Sequence, residues 1–233
     1  ARFIVEKFAE HGFAPEKLRY IPNFFESADD ASVDPAVVAA LREKYGRHVL
    51  FFGRLSAEKG VDLLIDACAA AGVPLVIVGD GPKRDELQAR ATARGGVCAF
   101  LGHLKGAALW AQVEAASLVA LPSVWYEIAP KSILEAQARG KPALVTTIGG
   151  LPEMVEEGVT GFLAAPSDAV SLTEALRRAF AMDDAALAAM GARARERATT
   201  TFTRDRYYRE MTALYTELSP AIAAEIAREA RPT

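Results

Sequence analysis

Six short apolar runs alternate with helical patterns from position 49 onward. Their interiors are almost wholly apolar rather than alternating, which is typical of strands in a parallel sheet that helices cover on both faces. The segments between them repeat apolar residues at helical spacing. This βαβα order predicts an α/β fold, a doubly wound parallel sheet of about six strands with helices on both faces. The predicted strands are 49–53, 75–79, 98–102, 118–122, 142–146 and 161–164, and the predicted helices are 60–71, 83–94, 106–116, 131–139 and 168–180.

The two ends of the chain differ from this core. Residues 1–10 predict a helix, the run Leu18-Arg19-Tyr20-Ile21 predicts a strand, and the small polar residues 26–36 suit a linker before a helix over 36–45. After residue 183 the pattern is helical, with a last helix beginning near 220. Since the chain begins with Ala1, we expect a part of a longer protein or a processed product. The predicted units are 1–24, the tail of a preceding domain; 25–47, a linker and helix; 48–203, the main domain; and 204–233, C-terminal helices.

Composition limits the possible classes of function. Of the 233 residues, 51% are apolar and 24% charged, which excludes a disordered chain, a collagen-like fibre and a disulfide mini-protein. No stretch reaches the roughly 18 uninterrupted apolar residues of a membrane span. A net charge of −3 with interspersed signs argues against nucleic acid as a partner, but it allows a small anion held by a few local cations. Cys68 and Cys98 lie in apolar elements and are predicted core residues in a reducing compartment.

The loops after the strands carry the candidate chemistry, because doubly wound sheets bind ligands outside the carboxyl ends of their strands. The first loop, 53–60, brings Arg54 and Lys59 to the start of a helix, which suits a phosphate. A solvated turn is the alternative. The second loop, 79–82, makes a tight turn, but Arg84 stands where a dinucleotide fingerprint has its third glycine, which disfavours a dehydrogenase.

The third loop offers two carboxylates. Glu127 follows a strand, Pro130 can open the next helix, and Glu135 lies on that helix. A loop Glu and a helical Glu can flank one ligand, with the helix N-terminus aimed at its anionic part. Two alternatives stay open: unrelated surface acids, or a glycosidase-like acid/base pair whose separation the sequence does not give.

A Gly-rich fourth loop, 146–153, is either a turn or a source of backbone N–H groups for a ligand. His103 follows a strand end and is a candidate for the lining of the ligand crevice. His11 and His48 are predicted at the surface. None of the three histidines has a partner at metal-ligand spacing, so no metal site is predicted.

Six motifs occur in order, each after a predicted strand or helix, and together they resemble a known family. The resemblance is to the C-terminal, donor-binding half of the retaining nucleotide-sugar glycosyltransferases of GT-B architecture, the glycosyl transferases group 1 family, over about residues 48–180. The fold implied is one Rossmann-like half of a GT-B enzyme. The motifs are Gly53-Arg54-Leu55 with Glu58-Lys59-Gly60, Val78-Gly79-Asp80-Gly81-Pro82, Pro122-Ser123 with Glu127 and Glu135-Ala136, Gly140-Lys141-Pro142, Gly149-Gly150-Leu151-Pro152-Glu153, and Gly158-Val159-Thr160-Gly161.

This resemblance implies roles for individual residues. Arg54 and Lys59 would hold the donor diphosphate, Glu135 would accept hydrogen bonds from the ribose hydroxyls, and Glu127 would contact the donor sugar near its reacting carbon as the catalytic acid. The loop at His103 and Leu104 would lie near the base. The other donor-binding residues implied are Gly53, Gly79, Ala129, Pro130, Lys131 and Ser132, the last four at the helix N-terminus that meets the phosphates.

The resemblance also implies partners. The donor is a nucleoside diphosphate sugar, used with retention and without a metal or another cofactor, because cations and a helix dipole stabilise the leaving diphosphate. A further N-terminal domain would supply the acceptor site, so this chain alone is expected to be inactive or nearly so. A cytoplasmic location is expected, with membrane-peripheral association only in the full-length protein. Pro130 is a departure from the family pattern, because it removes one backbone N–H from the donor site. A nucleotide-sugar binding module without transfer and a GT-B relative, such as a sugar-nucleotide epimerase or a phosphorylase, remain alternatives.

Overall fold

A six-stranded, wholly parallel sheet forms the centre of the molecule in the computed structural model, which describes residues 1–24 and 32–219. The strand order is β3-β2-β1-β4-β5-β6, the order of a doubly wound nucleotide-binding sheet. The predicted fold class is therefore confirmed. The strands are β1 Val49–Phe52, β2 Leu75–Val78, β3 Cys98–Phe100, β4 Leu118–Leu121, β5 Ala143–Thr146 and β6 Gly161–Ala164.

Nine α-helices lie within the described ranges, and seven of them pack in two groups. Helix α3 contacts both α4 and α7, while α2 packs on α5 and α6 on α8. Right-handed crossovers place the two groups on opposite faces of the sheet. The helices are α1 Arg2–Glu10, α2 Pro35–Tyr45, α3 Val61–Ala71, α4 Arg84–Arg94, α5 Gly106–Ala115, α6 Lys131–Ala138, α7 Ala169–Ala181, α8 Asp184–Thr201 and α9 Arg204–Leu218.

The predicted strand at Leu18-Arg19-Tyr20-Ile21 is wrong. This segment follows a 3₁₀ turn, Pro15–Lys17, and no strand of the described residues pairs with it. A strand needs a partner for its backbone groups, and a local apolar pattern does not supply one. The predicted linker at 26–36 lies partly outside the described residues, and α2 already begins at Pro35. The predicted last helix, from about 220, also lies outside them.

Burial of the histidines and cysteines only partly follows the sequence-based expectation. His48 is wholly buried rather than at the surface; its Nδ1 lies 2.9 Å from the Gly46 carbonyl oxygen, and burial lowers its pKa. Cys68 is buried and Cys98 half-buried, and both are free thiols. Burial raises the pKa of Cys98 to about 12, so both cysteines act as small core residues rather than as nucleophiles.

The core lies on both faces of the central strands, which are buried along their whole length in β1, β2, β4 and β5. The core therefore holds the carboxyl ends of β1 and β4 rigidly side by side, and the candidate site is built at those ends. Among the described helices, none is long and apolar enough to span a bilayer.

Truncation of a central core residue tests this packing. Leu144 on β5 is fully buried, so Leu144→Ala is expected to lower the free energy of unfolding by about 3 kcal/mol through lost apolar burial and the cavity it leaves. Val170 on α7 is 68% exposed, so Val170→Ala is expected to cost less than about 0.5 kcal/mol. Urea denaturation of both variants checks this, and equal costs would contradict the described core.

Candidate functional site

Four loops meet where the strands of the sheet have their carboxyl ends, which we call the carboxyl edge. They lie around the point between β1 and β4 where the strand order reverses. They follow β1, β2, β4 and β5 and comprise residues 53–60, 79–83, 122–130 and 147–153. In doubly wound sheets this reversal opens a crevice for ligands. The sequence-based expectation placed the chemistry in these same loops, so the geometry between them decides what the edge can bind.

The first and second loops are joined by backbone contacts. The Leu55 N–H donates to the Asp80 carbonyl oxygen at 2.9 Å, and the Lys83 N–H donates to the Leu55 carbonyl oxygen at 3.0 Å. Gly79 has φ +142°, and a Cβ there would lie 1.8 Å from the Gly53 carbonyl oxygen. A Cβ at Gly81 would lie 2.3 Å from the Leu55 carbonyl oxygen. These glycines allow an approach that no side chain permits, so the second loop supports the first.

The first loop also rests on the third. The Val124 N–H donates to the Glu58 carbonyl oxygen at 2.9 Å. Gly60 is left-handed, with φ +64°, and a Cβ there would lie 2.1 Å from the Pro122 carbonyl oxygen. The residue before it, Lys59, is therefore carried against the loop that follows β4.

Lys59 and Glu127 form an ion pair at this junction. Lys59 Nζ donates to Glu127 Oε1 at 2.5 Å, with the two side chains 21% and 18% exposed. The hydroxyl of Ser123, which is fully buried, donates to the same oxygen at 2.9 Å. Thr146 Oγ1 donates to the Ser123 carbonyl oxygen at 2.6 Å and ties this group to the end of β5. The Lys59 ammonium and the Glu127 carboxylate thus form a half-buried ion pair between the first and third loops.

The Gly-rich fourth loop seats Glu127 from the other side. The Gly150 N–H donates to the Glu127 carbonyl oxygen at 2.6 Å. Gly149 has φ +60°, and a Cβ there would lie 2.6 Å from that same oxygen. Of the two interpretations left open for this loop, the structure therefore favours a turn at Gly150, since its N–H is directed at Glu127.

Helix α6 begins beside Glu127 and points its N-terminus at this edge. Pro130 is the N-cap residue, with φ −64°, and no side chain caps the helix. Pro130 therefore opens the helix as expected, immediately before its first residue, Lys131. The first turn holds Lys131, which is exposed, and Ser132, whose backbone N–H groups precede the intrahelical ladder. Glu135 is half-buried on the same helix, about 6 Å along the axis from Lys131.

The remaining predicted residues border the same edge. Arg54 is exposed in the first loop, next to Gly53. The loop after β3 joins the second loop where the Gly79 N–H donates to the Gly102 carbonyl oxygen at 2.7 Å. His103 follows Gly102 and is exposed, and Leu104 is half-buried against the core. Ala129 is half-buried just before α6. Their predicted roles toward a donor remain predictions.

Two contacts of the site were missed in the sequence. The first is the hydrogen bond from Ser123 to Glu127; the position of Ser123 after a strand is visible in the sequence, but its partner is not. Glu153 accepts hydrogen bonds from the backbone N–H groups of Arg2 and Phe3, each at 2.8 Å, and so caps α1. The Phe3 ring also packs 4.8 Å from the ring of Tyr126. No local pattern relates residues about 150 positions apart, so the sequence held no signal for this second contact.

Comparisons with known proteins agree with this geometry. Residues 39–197 match the family model described as Glycosyl transferases group 1. The glycogen synthase of Mycobacterium tuberculosis is 40% identical over 176 residues, which cover 70% of this chain and 41% of that protein. The alpha-D-kanosaminyltransferase of Streptomyces kanamyceticus is 32% identical over 154 residues, which cover 60% and 39%. The chain thus spans about two-fifths of the length of these curated relatives.

Solved structures show the same architecture. Anabaena Alr3699/HepE in complex with UDP and glucose superposes with a TM-score of 0.79 at 28% identity, covering 91% of this chain and 60% of that one. The C-terminal domain of the group 1 family protein LpcC from Francisella tularensis shares the fold, with a TM-score of 0.64 at 18% identity and coverage of 75% and 96%. The family model matches well over half of the residues, and the fold is shared. This chain therefore belongs to the glycosyl transferases group 1 family.

Proposed function

We propose that this chain binds the nucleoside diphosphate sugar donor of a glycosyltransferase. The observation that carries the proposal is the Lys59–Glu127 pair at the β1/β4 reversal, beside the N-terminus of α6. An ammonium and the backbone N–H groups of a helix start suit a diphosphate. The named activities of the relatives and the UDP bound to HepE support the same class of ligand.

Each group has a separate task in the proposed complex. Arg54 and Lys59 neutralise the diphosphate, and the uncapped start of α6, at Lys131 and Ser132, directs its positive end toward it. Glu135, further along the same helix, reads the ribose hydroxyls, since a carboxylate accepts hydrogen bonds from both. These groups hold the half of the donor that leaves in the reaction.

Glu127 is proposed to act at the reacting end of the donor. In transfer, the bond between the anomeric carbon and the diphosphate oxygen breaks, a bond to the acceptor oxygen forms, and the acceptor's proton passes to the departing diphosphate. Negative charge therefore grows on the diphosphate, where fixed cations stabilise it more than they stabilise the bound donor. Metal independence and retention are proposed from the family resemblance, and the acceptor is proposed to bind to a further domain. A cytoplasmic location is proposed on the same basis.

Calorimetric titration of the chain with UDP-, GDP- and ADP-sugars tests donor binding. We expect one base to bind, and binding of none would contradict the proposal. Arg54→Ala is expected to weaken binding of the diphosphate about tenfold, whatever sugar is attached, because it removes charge-assisted hydrogen bonds. Arg209→Ala on α9 is the control for the loss of one positive charge, and it should leave the affinity unchanged.

The role of Glu135 has its own readout. Glu135→Ala is expected to weaken the binding of ribonucleotides at least tenfold more than the binding of the matching 2′,3′-dideoxy analogues. Only the ribonucleotides offer hydroxyls to the carboxylate. Equal losses on both ligands would refute this role while leaving the diphosphate assignment standing. If the protein that contains this chain binds donor but transfers no sugar to any acceptor, the chain is a binding module instead.

A further inference from the structure

A cavity lies at the opposite end of the sheet from the candidate site. Its volume is about 620 Å³, and residues just before β1, β4 and β5 form its floor, with α2 and α8 on its sides. The strands are four residues long, so the two sites are separated by about 13 Å of sheet. None of the residues assigned to the donor lines this cavity.

The lining of this cavity is strongly basic. Arg42, Arg47, Lys141 and Arg195 line it, and Asp184 is the carboxylate among the lining residues. The chain as a whole has a net charge of −3, so the concentration of positive charge here is local. Clefts with one sign of charge focus the field on ligands of the opposite sign.

Two of these cations are already engaged. Arg47 Nε pairs with Asp184 Oδ1 at 3.0 Å, and its Nη2 donates to the Met182 carbonyl oxygen at 2.6 Å. Lys141 Nζ donates to the carbonyl oxygens of Glu114 and Ala116, at 2.8 and 2.9 Å, which leaves one of its three protons. Arg47 is thus neutralised, while the ammonium of Lys141 meets dipoles rather than an anionic side chain.

Arg42 and Arg195 retain capacity for a ligand. Arg42 is exposed and donates through Nη2 to the Glu114 carbonyl oxygen at 2.9 Å, which occupies one of its five N–H groups. Arg195 is exposed on α8 at the other side of the cavity. Burial and the neighbouring Arg42 lower the pKa of Lys141 to about 8, and the Glu114 carboxylate opposes this shift only in part.

We infer that this cavity is a second binding site, for a small organic phosphate ester held by Arg42, Lys141 and Arg195. Guanidinium groups bind phosphate oxygens in bidentate fashion, and an ammonium adds a point charge. The cavity volume falls within the range of small-molecule sites and exceeds the size of a free phosphate ion, which favours an ester with an organic part. The inference does not depend on the donor assignment.

Amide chemical shifts distinguish this site from the donor site, which also attracts phosphates. The ¹⁵N-labelled chain is titrated with a hexose monophosphate, the free hexose and inorganic phosphate. We expect the ester to shift the amides of Gly46, Ser117 and Gly140 along a saturating curve, with no response to the free hexose. Shifts confined to Gly53 and Gly60 would overturn the inference. If inorganic phosphate saturates the cavity amides at an equal or lower concentration, the ester class is wrong.

A charge-matched set of variants identifies the residues that bind. The double change Arg42→Ala and Arg195→Ala is expected to weaken binding of the ester at least tenfold, as measured from the chemical shifts of the cavity amides. Both side chains are exposed, so the fold should persist, and thermal unfolding checks this. Arg209→Ala combined with Arg177→Ala removes the same charge from residues outside the lining and should change the affinity less than twofold. Equal effects of the two pairs would contradict a specific site.

Discussion

Gly60→Ala is expected to lower the free energy of unfolding by more than about 3 kcal/mol. Two penalties combine at this position. Gly60 has φ +64°, a region that costs an L-residue about 1 kcal/mol or more, and its Cβ would lie 2.1 Å from the Pro122 carbonyl oxygen. Backbone, not a flexible side chain, occupies that space, so the first and third loops must separate.

Gly72 provides the matched control at the other end of the same helix, α3. It is also left-handed, with φ +69°, but nothing lies within 4 Å of a Cβ built there. Gly72→Ala is therefore expected to cost only about 1 kcal/mol, the conformational penalty alone. Urea denaturation measures both variants. Equal losses would show that the contact with Pro122 contributes nothing.

Lys59→Ala is expected to weaken UDP binding about a hundredfold, or about 2.7 kcal/mol. The loss exceeds that of one hydrogen bond, because Glu127 then faces the diphosphate without its counter-charge. Glu127→Gln should act in the opposite direction. It removes a like charge beside the phosphates and frees Lys59, so UDP is expected to bind about fivefold tighter, or about 1 kcal/mol.

This opposition in sign distinguishes the proposed arrangement from general damage to the site. Both variants are measured calorimetrically at one ionic strength, with Lys17→Ala as the control for the loss of a lysine charge. Weaker UDP binding in Glu127→Gln would place the carboxylate on the nucleotide rather than beside the phosphates. In the protein that contains this chain, Glu127→Gln is nevertheless expected to lower sugar transfer at least about a hundredfold, since tighter binding of product does not replace a lost catalytic group.

The sheet could be predicted because its signal is local. Unbroken apolar runs predicted all six strands to within about two residues, and the helical spacing between them predicted the doubly wound parallel sheet that the structure has. The strand expected over residues 18–21 failed for the complementary reason: pairing needs a neighbour, and the apolar pattern of one segment does not reveal whether one exists. The burial of His48 was missed because its contacts with Gly46 and Tyr45 follow no recognisable pattern in the sequence.

The site could be predicted only in part. Its position followed from the topology, which brings the loops after β1 and β4 together. The partner of Lys59 did not, because the loop pattern suggested Arg54 as its companion and the family resemblance assigned Glu127 to the sugar. Their contact depends on Gly60 reaching the Pro122 carbonyl oxygen, a tertiary approach that carries no pattern in sequence beyond the glycine itself.

The close backbone approaches at the carboxyl edge also limit how ligand preference can be altered. Gly60, Gly79, Gly81, Gly149 and Gly150 each face a carbonyl oxygen within 2.6 Å of where a Cβ would stand, so a mutational library that varies them would mostly sample broken loops. The positions that can be varied are those whose side chains point outward from these loops. Engineering of specificity should therefore begin at solvent-facing positions around them, such as His103, Trp125 and Ile128.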